Sequence, residues 1–126
     1  MKVKICGLTT AEQVTYCVEQ GANFCGFILN YPKSHRYIDY QTAETLTSVD
    51  KKNSSYVGIL VNPKEAELET FSKLNLDYFQ IYGEYTKDQI KEFNSIADDL
   101  TYCVIGRPIY EGNALENIKN IINSAK

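Results

Sequence analysis

Lys2-Val3-Lys4-Ile5-Cys6-Gly7-Leu8-Thr9-Thr10 reads as a short buried strand that stops at a glycine and turns at once into a helix. Val3–Cys6 is the strand, and Gly7 ends it. Thr9, with Glu12 three residues on, has the capping-box pattern of a helix start. Cys6 therefore falls at the C-terminal end of a strand, facing a strand-to-helix loop. In α/β proteins that edge of the sheet is where ligands bind.

Outward from this unit the pattern repeats. A helix over about residues 10–20 has Val14, Cys17 and Val18 on one face and ends at Gly21, a C-cap glycine. The run Phe24–Leu29 is almost wholly apolar, as expected of a strand covered on both faces. A polar loop, residues 30–37, leads to Asp39, which caps a helix reaching about Val49. Tyr56–Val61 is a third strand. Asn62-Pro63 reads as the next helix start, with Asn as N-cap and Pro at the first helical position, and that helix buries Leu68, Phe71 and Leu74. Tyr78–Tyr82 is a fourth strand, closed by Gly83. Thr86 with Gln89 opens a helix whose apolar face includes Ile90, Phe93 and Ala97. Tyr102–Ile105 is a fifth strand, closed by Gly106. Asn113 with Glu116 opens a last helix bearing Leu115, Ile118, Ile121 and Ile122. Five βα units in a row predict one α/β domain over residues 1–126, with a parallel sheet. Its post-strand loops (Gly7, residues 30–37, Asn62, Gly83 and Gly106-Arg107) lie on one face, and function belongs there.

The bulk properties narrow the classes. The 126 residues are 44% hydrophobic and 23% charged, with a formal net charge of −3. This is an ordinary globular composition with no electrostatic pull toward nucleic acid or an anionic membrane. Cys6, Cys17, Cys25 and Cys103 form no C-x-x-C pair. Neither a metal site nor a disulfide framework is expected, and free thiols suit a cytoplasmic protein. No apolar run approaches a membrane span. Met1 leads straight into a strand, so no signal peptide is expected.

The segments KICGLTT (4–10), GANFCGFILNYPKSHRYI (21–38), VGILVN (57–62) and LDYFQIYGE (76–84) together resemble phosphoribosylanthranilate isomerase of tryptophan biosynthesis, in that family's order and spacing. The resemblance covers residues 1–97. It implies a (βα)8 barrel, an Amadori rearrangement of a phosphorylated sugar substrate and no cofactor. It also implies Cys6 as the general base and Arg36 as the clamp on the anthranilate carboxylate, a role that suits a planar guanidinium. There are departures. Tyr82 stands where the family has a histidine. No counterpart of the family's general-acid aspartate is visible, nor are its own phosphate loops. The tail, residues 98–126, resembles instead the last βα unit of orotidine 5′-phosphate decarboxylase. Its Gly106-Arg107-Pro108 implies a phosphate clamp of Gly106 and Arg107.

The fold expected is thus TIM-barrel-like but incomplete, since closure takes about eight strands. An open, flavodoxin-like sheet is the alternative. Unpaired strand edges and an exposed barrel interior favour a homo-oligomer that completes the barrel. Beside the isomerase stand two other readings: a non-catalytic phosphate-binding or engineered partial barrel, and a decarboxylase-related fragment. His35, the single histidine, reads as an exposed loop residue, and Gly83-Glu84 as a strand end.

Overall fold

The computed structural model describes residues 2–83, 85, 86, 88, 89, 91 and 92, and the strand backbone of residues 101–105. The elements run β1 (Lys4–Ile5), α1 (Ala11–Glu19), β2 (Phe24–Ile28), α2 (Tyr40–Thr47), β3 (Ser55–Val61), α3 (Glu65–Phe71), β4 (Tyr78–Tyr82) and β5 (Thr101–Ile105). The strands form one parallel sheet in the order β1-β2-β3-β4-β5. A flavodoxin-like sheet would place β1 between β2 and β3. Here β1 is at the edge and each strand lies beside its successor, the winding of a barrel, so the open-sheet alternative is set aside.

Local chemistry explains the starts and stops. The Thr10 hydroxyl, not that of Thr9, caps α1: it accepts from the Gln13 amide at 3.2 Å, while the Gln13 side chain accepts from the Thr9 amide at 2.9 Å. The expected Thr9–Glu12 pairing is therefore one residue off. At the other end Ala22 N–H reaches Cys17 O and Gly21 N–H reaches Val18 O, a Schellman turn with Gly21 at φ +84°. Asp39 caps α2 as expected, accepting from the Thr42 amide at 2.8 Å. Its hydrogen bonds to the Thr42 side chain and backbone hold the carboxyl below its usual range. The α3 start differs from the Asn62-Pro63 reading. Asn62 takes a left-handed φ of +42°, Pro63 is buried in the connection, and the helix begins after Lys64, whose amide donates to Glu67 Oε1 at 3.0 Å. Thr86 and Gln89 form the expected reciprocal box at 2.8 and 3.2 Å. Ile90, Phe93 and Ala97 and the last helix lie outside the described residues.

Period-two alternation along the strands sorts side chains into two layers. One face of the sheet packs on the helices. Cys25, Phe27, Leu29, Tyr56, Leu60, Phe79 and Ile81 meet Val14, Val18, Ala43, Leu46, Leu68 and Phe71 in the main core. The opposite face carries Ile28, Val57 and Ile59, flanked by Cys6, Phe24, Tyr78 and Tyr82. That second face is concave. The Lys4 ammonium on β1 donates to Gln80 Oε1 on β4. Three strand spacings, about 14 Å, separate these strands in a flat sheet. Side chains standing perpendicular to such a sheet would not meet. Gly26 opens the path, since a Cβ there would come within 3.2 Å of Lys4 Cε. Among the described residues no helix is long and apolar enough to cross a membrane.

Candidate functional site

The site is built from two loops at the C-terminal edge of the sheet. In the first, β1 ends and the Gly7 and Leu8 amides both donate to Gly26 O, at 2.9 and 3.1 Å. This pins Cys6, half-buried, against the Ile28–Val57–Ile59 cluster of the concave face. Gly7 has φ +78°, a conformation glycine adopts without penalty.

The second loop, residues 30–37, is a compact excursion with tied ends. Ile38 N–H donates to Ile28 O at 3.1 Å, and Tyr37 forms a parallel bridge with Ile28. Within it Tyr37 N–H reaches Ser34 O, and the Ser34 hydroxyl accepts from the Arg36 amide at 3.2 Å. Asn30 anchors the loop base, its amide bonding both backbone groups of Val61 at 2.7 and 3.0 Å and Glu67 Oε2 at 3.2 Å.

The two loops meet through Arg36. Its Nη1 donates to the Cys6 carbonyl oxygen at 2.9 Å. Its side chain lies flat over Gly7, so close that a Cβ on Gly7 would stand 2.9 Å from Arg36 Cδ, Nε and Cζ. One guanidinium N–H is used on the carbonyl, and a guanidinium carries five, in a planar fork matched to a carboxylate.

Of the residues singled out from sequence, the structure brings Cys6 and Arg36 together. His35 is exposed beside Arg36. Gly106 and Arg107 lie outside the described residues, as does the side chain of Cys103. Among the described residues no group of three His, Cys, Asp or Glu is arranged to hold a metal. Sequence reading missed the Lys4–Gln80–Tyr82 line on the concave face, in which Gln80 Nε2 donates to the Tyr82 hydroxyl at 3.0 Å. The available signal was parity: Lys4, Cys6, Gln80 and Tyr82 alternate along their strands so as to share one face.

A cavity of about 280 Å³ opens on the concave face, lined by Lys4, Phe24, Val57, Tyr78, Phe79 and Gln80. It lies toward the N-terminal ends of the strands, away from Cys6. Two thiols differ in environment as well as place. Burial, with Cys17 nearby, pushes Cys25 up to about 11, against a hydrogen bond from Ser54. Cys25 lies on the helix-facing side in the main core.

The family model of N-(5′-phosphoribosyl)anthranilate (PRA) isomerase matches residues 3–100. The N-(5′-phosphoribosyl)anthranilate isomerase of Streptococcus mutans is 37% identical over 94 residues, 74% of this chain and 48% of that protein. That of a Thermoanaerobacter species is 38% identical over 96 residues, 75% of this chain and 46% of that protein. The chain thus spans about half the length of the curated relatives it matches. A crystal structure of phosphoribosyl anthranilate isomerase in complex with reduced 1-(o-carboxyphenylamino)-1-deoxyribulose 5-phosphate superposes with a TM-score of 0.78 at 29% identity, covering 98% of this chain and 60% of that one. The Thermotoga maritima enzyme superposes with a TM-score of 0.72 at 31% identity, covering 82% of this chain and 49% of that one.

Proposed function

Because the chain belongs to the N-(5′-phosphoribosyl)anthranilate isomerase family, we propose that it takes part in the Amadori rearrangement of phosphoribosylanthranilate, the aminoaldose-to-aminoketose step of tryptophan biosynthesis. Cys6 takes the C2 proton, Arg36 holds the anthranilate carboxylate, and Gly106 with Arg107 hold the phosphate. The observation that carries the reading is the 2.9 Å bond from Arg36 Nη1 to the Cys6 carbonyl. It supports a base and a carboxylate clamp held at one strand end, which is what proximity catalysis needs. A thiolate is a compact base suited to carbon acids near neutral pH.

The reading extends to the assembly. Residues 1–126 act as one domain in the cytoplasm, the 98–126 unit carrying the phosphate-loop-like Gly106-Arg107-Pro108 segment. Beside the outer edge of β1, Val3, Ile5 and, from α1, Tyr16 are exposed along a largely apolar groove. This supports a second copy that meets the open edge and completes the barrel. Light scattering at micromolar concentration is expected to report a dimer or larger; a stable monomer removes that part of the reading.

The test of function is a coupled isomerase assay on the purified chain. Turnover that disappears in Cys6→Ala is the expected result. Binding of the phosphorylated product analogue with no turnover selects a non-catalytic binder, and neither binding nor turnover removes the isomerase reading.

A further inference from the structure

Three side chains draw a polar line across the otherwise apolar concave face. Lys4 Nζ donates to Gln80 Oε1, and Gln80 Nε2 donates to the Tyr82 hydroxyl oxygen at 3.0 Å. Gln80 is buried at 8% exposure, so both ends of its amide require partners. The direction of the line is set by chemistry. An ammonium only donates, so the amide oxygen faces Lys4 and the NH2 group faces Tyr82. That NH2 also only donates, so Tyr82 meets Gln80 as an acceptor and its single O–H proton is aimed at some other group. Tyr82 ends β4, Cys6 directly follows β1, and both pack on Ile28, Val57 and Ile59.

We propose that Tyr82 is the proton donor of this site, held in that role by Gln80 and Lys4, and serves as the general acid opposite Cys6. The proposal rests on the isomerase reading. The Tyr82 hydroxyl gives its proton to the furanose ring oxygen as the C1–O bond breaks, and the nitrogen lone pair closes a C1=N double bond. The Cys6 thiolate removes the C2 proton, giving an enolamine with neutral nitrogen. The C2 hydroxyl returns a proton to the tyrosinate as C2=O forms, and the Cys6 thiol delivers its proton to C1. Both groups end as they began. Tyr82 is the catalytic residue; Gln80 and Lys4 are positioning residues.

The decisive substitution is Gln80→Glu, which changes one atom group and almost no volume. The carboxylate keeps Lys4 but accepts from Tyr82, turning the O–H inward. Tyr82→Phe removes the donor outright. Both variants are expected to lower kcat about 10²- to 10⁴-fold while raising KM no more than about tenfold, and the double variant to be no worse than Tyr82→Phe alone. Calorimetry with reduced 1-(o-carboxyphenylamino)-1-deoxyribulose 5-phosphate adds a readout free of turnover. Each variant is expected to bind it about tenfold more weakly, one hydrogen bond's worth. If the unsubstituted chain binds or turns over and Gln80→Glu matches it, the donor role is overturned while the isomerase reading stands. If the unsubstituted chain does neither, the isomerase reading fails and takes this inference with it.

Discussion

At Gly7 the backbone turns through φ +78°, and the space a Cβ would need holds the Arg36 side chain at 2.9 Å. Gly7→Ala therefore meets two penalties, a left-handed backbone and an overlap, and should cost more than about 1 kcal/mol. Denaturant unfolding of a four-member cycle with Arg36→Ala separates them. The backbone part persists when Arg36 is gone, whereas the overlap part vanishes. Equal costs in both backgrounds would mean the guanidinium does not occupy that space. Cys25 provides a pH test. Its folded pKa is raised from 9.0 to about 11, so its contribution is complete below pH 9 and declines as pH rises toward 11. Tyr56, pushed up to about 12 from 10.0 by burial and by Cys25, Asp50 and Asp77, extends the decline upward. A thermal-melt series across pH 8–11 should fall more steeply for the native chain than for Cys25→Val. At this scale the sequence placed Cys6 at a strand end, because strand, glycine and cap are contiguous. It did not disclose that Arg36 hangs on the Cys6 carbonyl, because 30 residues and a folded loop separate them.

Among the described residues most helices and strands were legible where a periodic apolar face met a glycine or a capping side chain. The exception is β1, which is Lys4–Ile5 with Val3 and Ile5 exposed at the sheet edge, not the buried strand Val3–Cys6 that the sequence suggests. The β4 bounds, Tyr78–Tyr82, came out as read, and Asp39 capped α2 as expected. The α3 start did not, because local capping chemistry admits more than one solution and tertiary placement chooses. Asn62 N–H donates to Tyr82 O at 2.9 Å, which continues the β3–β4 ladder one residue past the strand and delays the helix. Once started, α3 behaves as its pattern dictates: Leu68 is fully buried, and Leu68→Ala should lose about 2–5 kcal/mol in chemical denaturation. Gly58 does on the helix side what Gly26 does on the concave side. A Cβ there would stand 2.8 Å from Leu76 Cδ1 and 2.9 Å from Leu29 Cδ1. Gly58→Ala should cost about 1–3 kcal/mol by overpacking, visible as a lowered midpoint with an unchanged denaturant slope. An alanine at 58 that leaves the midpoint in place would show that this layer has room to relax.

For the whole molecule, the count of βα units predicted a parallel sheet, and the family resemblance predicted barrel winding. Strand order and concavity had to come from the structure, because neither leaves a mark in local composition. The concave face is bridged by a contact that joins residues 4 and 80, 76 positions apart, across the inner face of β2 and β3. That separation has a kinetic meaning. Lys4 and Gln80 meet only after the β1–β2, β2–β3 and β3–β4 ladders are in register, so their bond belongs to the native side of the folding barrier. Gln80→Leu should accordingly steepen the escape from the native state while leaving the refolding limb of the chevron where it was. The cup that gathers the site would then also govern how long each molecule stays folded once formed.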